Sequence, residues 1–273
     1  MPDTAAIDSV TAALNYVVDT GVKPVNRTME AGNMARVRTG TYETREMTIR
    51  NGRTLRDTFS LDETGFVFVD HETATEDFFN PEDLASTYYP EVERLIAERT
   101  GAKRVLIFDH TLRSGSEATR EERKVREPVT QVHNDYTEWS GPQRVRDLLP
   151  DEAEELLKRR FAIVQVWRAI TRPIESHPLA IADARSLAPG NLVASERRYP
   201  DRVGETYQVS WAPDHRWYYF PRMTRDEALV FKVYDSEKDG RARFTAHTAF
   251  EDPNTPDGAP ERESIEMRTI AFF

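Results

Sequence analysis

The second half of the chain is a run of short segments rich in β-branched and aromatic residues, and this run limits the folds that the chain can adopt. Segments of that composition favour β-strands, and strands that recur about every 8–15 residues are typical of a jelly roll or a barrel. The predicted strands cover residues 161–170, 178–183, 191–195, 206–212, 216–220, 228–234, 241–247 and 264–273. We therefore expect a mainly β fold.

The first half of the chain mixes strands with helices. The pair Asn80-Pro81 is a typical helix start, because Asn caps the first turn and Pro fits the first helical position. The predicted helices are residues 4–16, a helix from 81, a second from 90 to 101, and residues 141–160 with a break at Pro150. Strands are predicted at 42–49, 65–69 and 104–109, and Asn51-Gly52 reads as a turn followed by a further strand. The supporting helices therefore lie chiefly towards the N-terminus.

The length of the chain indicates a single domain, and its charge limits the classes of molecule that it can bind. β-barrels often reach 273 residues as one unit, so we expect one domain over residues 1–273. A net charge of −10 argues against nucleic acid and anionic membranes as partners. The first residues lack both a basic region and a long apolar run, which favours a cytoplasmic protein without a signal peptide or a membrane span. The absence of cysteine excludes disulfides, zinc–thiolate sites and iron–sulfur clusters.

Two histidines and an aspartate are arranged as ligands of a mononuclear iron site. Iron(II) in oxygenases takes two imidazoles and one carboxylate on one face, and the remaining positions stay open. His133 and Asp135 are two residues apart, so on a strand both side chains point to the same side. The third ligand must come from a neighbouring strand, and His247 lies in a strand-like segment, FTAHTAF. The predicted metal ligands and catalytic residues are His133, Asp135 and His247.

A second pair at the same spacing, Arg262 and Ser264, follows the distal histidine. A guanidinium binds a carboxylate through two parallel hydrogen bonds, and a serine hydroxyl adds another donor. The pair therefore suits the distal carboxylate of 2-oxoglutarate. Arg168 is the third predicted cosubstrate-binding residue, and the residues leave open whether it pairs with a carboxylate of a small molecule or makes a structural ion pair.

The segment 251–261 separates His247 from Arg262 and is rich in Pro, Asp and Gly, which is typical of a loop. Its position at the mouth of the proposed site leaves two alternatives open, a lid or a plain surface connection.

The segments YYPEVERLI, TGAKRVLIFDHTLRS, VHNDYT, VWRAI, HPLAIADARS, HRWYYFPRM, ALVFKVYDS, ARFTAHTAF and RESIEMR resemble the CmcJ/NvfI-type family of oxygenases. That family includes a cephamycin methoxylation protein, a fungal endoperoxide-forming enzyme and a gibberellin desaturase. The resemblance covers about residues 10–273. It implies a double-stranded β-helix, or jelly-roll, barrel and an iron(II)- and 2-oxoglutarate-dependent dioxygenase. It assigns the metal triad to His133, Asp135 and His247 and the clamp to Arg262 and Ser264, although the gap before Arg262 is longer than in better-known relatives.

The function predicted from these patterns is oxidation of a C–H bond of a small natural product, with Fe(II), 2-oxoglutarate and dioxygen. Two alternatives stay open: an iron enzyme that does not use 2-oxoglutarate, and a non-catalytic barrel that binds a small molecule. The sequence does not name the substrate, the oligomeric state, or the choice among hydroxylation, desaturation and cyclisation.

Overall fold

The computed structural model describes residues 8–28, 36–198 and 203–273. Strands dominate these residues. In chain order they are β1 Ser9–Val17, β2 Val25–Thr28, β3 Arg36–Arg38, β4 Tyr42–Asn51, β5 Phe66–Asp70, β6 Arg104–Ser114, β7 His133–Asn134, β8 Phe161–Ala169, β9 Leu179–Ala182, β10 Leu192–Arg198, β11 Val203–Val209, β12 Trp217–Tyr219, β13 Glu227–Asp235, β14 His247–Ala249 and β15 Glu263–Phe272.

The described strands form two sheets that enclose one apolar core. One sheet has the order β1-β4-β12-β9-β14-β7-β11-β10-β2-β3, and the other has the order β5-β13-β8-β15-β6. Alternate residues of β8 and β15 point inward, where Trp167 and Ile270 pack with Ile181 and Tyr218 of the facing sheet. Inward and outward residues are both apolar along β8, because helices cover its outer face.

The helices are short and lie between residues 81 and 156. They are α1 Pro81–Asp83, a π-helical turn Leu84–Tyr88, α2 Tyr89–Thr100, α3 Glu117–Arg123, α4 Ser140–Leu148 and α5 Ala153–Leu156. The Asn80 side chain caps α1 as the sequence predicts, and Gly101 ends α2 in the left-handed conformation with φ 73°. Val92 and Ile96 of α2 pack against the outer face of β6 and β15.

Three local predictions were wrong. The helix predicted over 4–16 is a strand from Ser9 onward, and residues 4–7 of that prediction lie outside the described residues. Val10 and Leu14 are four apart, a spacing that suits a helical face and also the alternation of a strand. Ala12, which lies between them, and Tyr16, two residues beyond Leu14, are also buried, which shows the two-residue period, and β1 pairs with β4 along its length.

In the other two wrong predictions, a side chain accepts the backbone hydrogen bond that a neighbouring strand would otherwise accept. The strand predicted after Asn51-Gly52 is a helical turn, Arg53–Thr58, whose first N–H donates to the Asn51 side chain. The strand predicted over 241–247 begins only at His247, because the N–H of Thr245 donates to the Asn134 side chain instead of to a neighbouring strand.

Candidate metal centre

The three predicted ligands meet because β14 pairs with β7 in antiparallel fashion. In that pairing His247 lies directly opposite His133, and the two ring centroids are 4.4 Å apart. Asp135 follows β7 immediately and presents Oδ1 3.6 Å from Nε2 of His133. One ligand atom from each of His133, Asp135 and His247 lies within 4.8 Å of the other two.

The orientation of both imidazoles leaves Nε2 free to bind. Nδ1 of His133 donates to the Gln131 carbonyl over 2.7 Å, and Nδ1 of His247 lies 3.3 Å from the Thr245 carbonyl. These carbonyls select the tautomer in which Nε2 carries the lone pair, as is usual for histidines that ligate a metal. Nε2 of His247 is buried, and no described residue offers it a hydrogen bond. A buried nitrogen left in that state fits a metal ion as its partner.

The electrostatics of the site favour the protonation states that a metal requires. Burial, with the neighbouring His247 ring, lowers the pKa of His133 to about 3, so this imidazole is neutral. Burial alone would raise the pKa of Asp135. The Arg268 guanidinium, with the two histidines and Gln165, holds that pKa well below its usual range. The site therefore offers a neutral imidazole and an ionised carboxylate without the proton loss that metal binding otherwise demands.

The carboxylate of Asp135 is held in place through one oxygen. Gln165 on β8 donates to Oδ2 over 2.7 Å, and Nε of Arg268 on β15 lies 3.3 Å from the same atom. The second oxygen, Oδ1, is the one that faces His133. Two donors on one oxygen leave the other for a metal.

Arg262 and Ser264 are buried on the inner side of the second sheet. One Nη of Arg262 donates to the His177 carbonyl over 2.7 Å, and the guanidinium lies 5.3 Å from the centroid of the Trp167 ring. Nε of Arg262 and Oγ of Ser264 are buried and find no hydrogen-bond partner within the described chain. Burial, with the nearby Arg113, lowers the pKa of Arg262 to about 9. A buried guanidinium that lacks a carboxylate partner is suited to receive one from a ligand.

Comparison with known proteins identifies the family. The model of the family described as oxidoreductase/YMDC permease-like domain matches residues 14–272. The chain belongs to this family. Named relatives are similar to this chain along most of their length.

The hydroxylase/desaturase efuI of Hormonema carpetanum is 32% identical and covers 99% of this chain and 98% of its own. The Fe(II)/2-oxoglutarate-dependent dioxygenase nvfI of Aspergillus novofumigatus (strain IBT 16806) is 33% identical over 81% of each chain. The solved structure of the iron and alpha-ketoglutarate-dependent endoperoxidase NvfI has a TM-score of 0.86 and 27% identity, over 97% of this chain and 98% of its own. The predicted CmcJ/NvfI-type relationship and the predicted jelly-roll fold are thereby confirmed.

The structure does not bring Arg168 to the metal centre. Gln165 and Trp167 point inward along β8, so Arg168 points outward, towards the helices. Its guanidinium donates to the carbonyls of His71 and Arg225 over 3.3 and 3.0 Å. These contacts favour the structural role among the two that the sequence leaves open.

Two residues that hold the carboxylate, Gln165 and Arg268, are absent from the sequence prediction. Gln165 is a fully buried amide in a strand, FAIVQVWRA, whose other residues apart from Arg168 are apolar, and that interruption is a signal that the sequence offers. Arg268 continues the alternation of Arg262 and Ser264 along the inner face of β15. It contacts Asp109, Thr111 and Glu266 as well as Asp135.

A cavity of about 380 Å³ opens beside Asp135. Tyr136 and Trp139 line it, together with Phe108 and Leu148. A smaller cavity of about 80 Å³ reaches His133. His110 of β6 lies on the outer face of the second sheet, where it bonds to Tyr89 of α2 over 2.8 Å.

No helix in the described parts of the chain has the length and apolar character needed to cross a membrane.

Proposed function

We propose that His133, Asp135 and His247 hold the iron(II) of a 2-oxoglutarate-dependent oxygenase that hydroxylates or desaturates a small natural product. The observation that carries the assignment is the cluster of three ligand atoms within 4.8 Å, in which the buried Nε2 of His247 has no partner among the described residues. Two imidazoles and a carboxylate are the donor set of this class of iron site. The similarity to efuI and nvfI, which are named for hydroxylation or desaturation and for Fe(II)/2-oxoglutarate dependence, supports the same activity here.

The residues around the triad fix its geometry before any ligand binds. The Gln131 and Thr245 carbonyls orient the two rings, and Gln165 and Arg268 hold one oxygen of Asp135. Pre-oriented ligands lower the cost of binding because little side-chain freedom is lost.

Arg262 and Ser264 are proposed to bind the distal carboxylate of 2-oxoglutarate. Both groups present an unused donor, Nε of the arginine and Oγ of the serine, within the buried inner face of the sheet. A carboxylate placed there would satisfy both donors and would supply the missing counter-charge of Arg262.

When bound, iron(II) and 2-oxoglutarate activate dioxygen for attack on a C–H bond, with succinate and carbon dioxide as coproducts. The protein holds the substrate in the cavity beside Asp135, where Tyr136 and Trp139 provide an apolar wall. Full burial of His247 and partial burial of His133 and Asp135 restrict the access of bulk water to the reacting atoms.

The single domain over 1–273 and a cytoplasmic location are also proposed. Strands from both ends of the described chain support the single domain, since β1 pairs with β4 and β15 lies between β8 and β6. The partner of the enzyme is the small-molecule substrate, without nucleic acid or membrane.

Anaerobic titration tests this function. The protein loaded with iron(II) should develop a weak visible charge-transfer band when 2-oxoglutarate is added, whereas the metal-free protein should not. If the protein binds iron(II) but shows neither the band nor succinate release in air, 2-oxoglutarate is not the cosubstrate.

A further inference from the structure

The smaller cavity beside the triad is strongly basic in a chain that is acidic as a whole. The net charge of the sequence is −10. Among the described residues that line this cavity, Asp135 is the one carboxylate against six arginines, which are Arg27, Arg38, Arg113, Arg126, Arg197 and Arg268. Charge of one sign concentrated in a cleft attracts ligands of the opposite sign.

Three of these six arginines are already engaged with protein groups. Arg268 contacts Asp135, Asp109 and Glu266. Arg38 donates to the Gln131 side chain over 3.0 Å, and Arg113 donates to the Glu127 carbonyl over 2.9 Å.

Arg27, Arg126 and Arg197 have guanidiniums without a hydrogen bond or an ion pair to any described residue, and of these three Arg126 and Arg197 also line the large cavity. On β10 the neighbours of Arg197 pair with each other, since Arg198 bonds to Glu196. Arg197 points the other way and lines the smaller cavity together with His133. Two free guanidiniums therefore line both cavities beside the proposed iron site.

We propose that the substrate is an organic anion with an apolar body, and that Arg126 and Arg197 bind its anionic group. The proposal rests on the proposed function for the reaction, but the binding site exists without iron. A carboxylate, sulfate or phosphate ester would accept charge-assisted hydrogen bonds from both guanidiniums.

The same large cavity offers a surface for the apolar body. The Trp139 side chain is 51% exposed and Val203 is 54% exposed, and both line the cavity. Large apolar side chains left open at a cavity mouth are typical of ligand contacts. Arginines at one part of the lining and aromatic rings at another match an amphiphilic ligand.

Two fluorescent probes that differ only by an anionic sulfonate group test the proposal. They are 8-anilinonaphthalene-1-sulfonate and its uncharged parent, N-phenyl-1-naphthylamine. The wild-type protein should bind the sulfonate more tightly than the parent. Arg126→Gln and Arg197→Gln should each weaken sulfonate binding about tenfold, the lower end for a charge-assisted contact, without weakening the parent. Arg197→Lys should restore part of the loss, because it keeps the charge without the fork.

Arg50→Gln is the matched control, since Arg50 is exposed on β4 and lies outside the lining of both cavities. Equal loss of sulfonate binding in this control, or no loss in Arg126→Gln and Arg197→Gln, overturns the proposal. Displacement of the sulfonate by 1-naphthoate or 1-naphthyl phosphate should identify the preferred head group, and failure of both to displace it also overturns the proposal.

The anaerobic 2-oxoglutarate titration separates this proposal from the oxygenase assignment. Arg126→Gln and Arg197→Gln should give the same 2-oxoglutarate dissociation constant as the wild type. A large rise in that constant would assign the two arginines to the cosubstrate and not to the substrate. Absence of the charge-transfer band in the wild type would instead contradict the oxygenase assignment and leave the probe-binding result standing by itself, because the probes bind metal-free protein.

Discussion

The side-chain amide of Gln165 donates to Oδ2 of Asp135 over 2.7 Å, although Gln165 lies on β8 of one sheet and Asp135 directly follows β7 of the other. The contact joins the second sheet to the proposed metal ligand. It also orients Asp135 so that Oδ1 is the oxygen turned towards His133.

Gln165→Leu should therefore weaken iron binding while the fold is kept. Partners of this kind are worth about 10–100-fold in metal affinity, and we expect a loss in that range. Anaerobic iron(II) titration followed by calorimetry measures it. Gln143→Leu is the control, because the Gln143 amide bonds to Asp147 on α4. An unchanged iron affinity in Gln165→Leu would mean that Asp135 needs no support from β8.

Arg262→Ala should impair 2-oxoglutarate binding far more than iron binding. A desolvated charge-assisted pair is worth about 1.5–3 kcal/mol, which corresponds to a rise of about 10–150-fold in the 2-oxoglutarate dissociation constant. Arg262→Lys should recover part of the loss, since lysine lacks the bidentate geometry. The midpoint of the anaerobic charge-transfer titration reports the constant.

Arg113 provides the competing assignment for that clamp. It lies opposite Ser264 in the pairing of β6 with β15, and its charge is close enough to lower the pKa of Arg262. Arg113→Gln should change the same titration less than Arg262→Ala does. A larger effect in Arg113→Gln would place the clamp on β6.

Arg168→Met should destabilise the fold without affecting the cosubstrate. The substitution removes the donors that the His71 and Arg225 carbonyls use, and a buried polar group left unsatisfied costs about 1–3 kcal/mol. Urea unfolding should show that loss, and the 2-oxoglutarate titration should match the wild type. A stable variant with weakened 2-oxoglutarate binding would restore Arg168 to the cosubstrate site.

The sequence predicts a site residue well where the spacing along the chain is enough to fix the direction of its side chain. His133 with Asp135 is a pair at i and i+2, and the strand period alone puts both side chains on one side. His247 lies opposite His133 because β14 pairs with β7, and the sequence does not show which strands pair. For the same reason the sequence leaves open which face of β8 Arg168 occupies, because a shift of one residue exchanges the two faces.

The N-terminal strand shows a second limit of sequence patterns. Val10 and Leu14 satisfy both the helical and the strand period, and only the partner strand β4 decides between them. The partners of Asp135 were missed because each comes from a distant strand of the other sheet.

Lys232 provides a test of the fold that is independent of the metal. It is almost fully buried and lies 2.8 Å from both Asp235 and Asp62. Lys232→Ala should lower the free energy of unfolding by about 1.5–3 kcal/mol, because buried Asp235 loses one of its two cationic partners and keeps Arg160, 2.8 Å away. Lys238→Ala is the matched control: Lys238 is exposed and lies 3.4 Å from Glu138, and its loss should cost about 1 kcal/mol or less. Equal losses in the two variants, measured by urea unfolding, would contradict the buried network.

The most direct test of the central claim is an anaerobic iron(II) titration of the wild type and of three variants, His133→Ala, Asp135→Ala and His247→Ala. The wild type should bind one iron(II) per chain, and each variant should lose that binding while its circular dichroism spectrum stays unchanged. His110→Ala is the control, since His110 bonds to Tyr89 on the outer face, and it should bind iron as the wild type does. Undiminished iron affinity in all three triad variants would contradict the account.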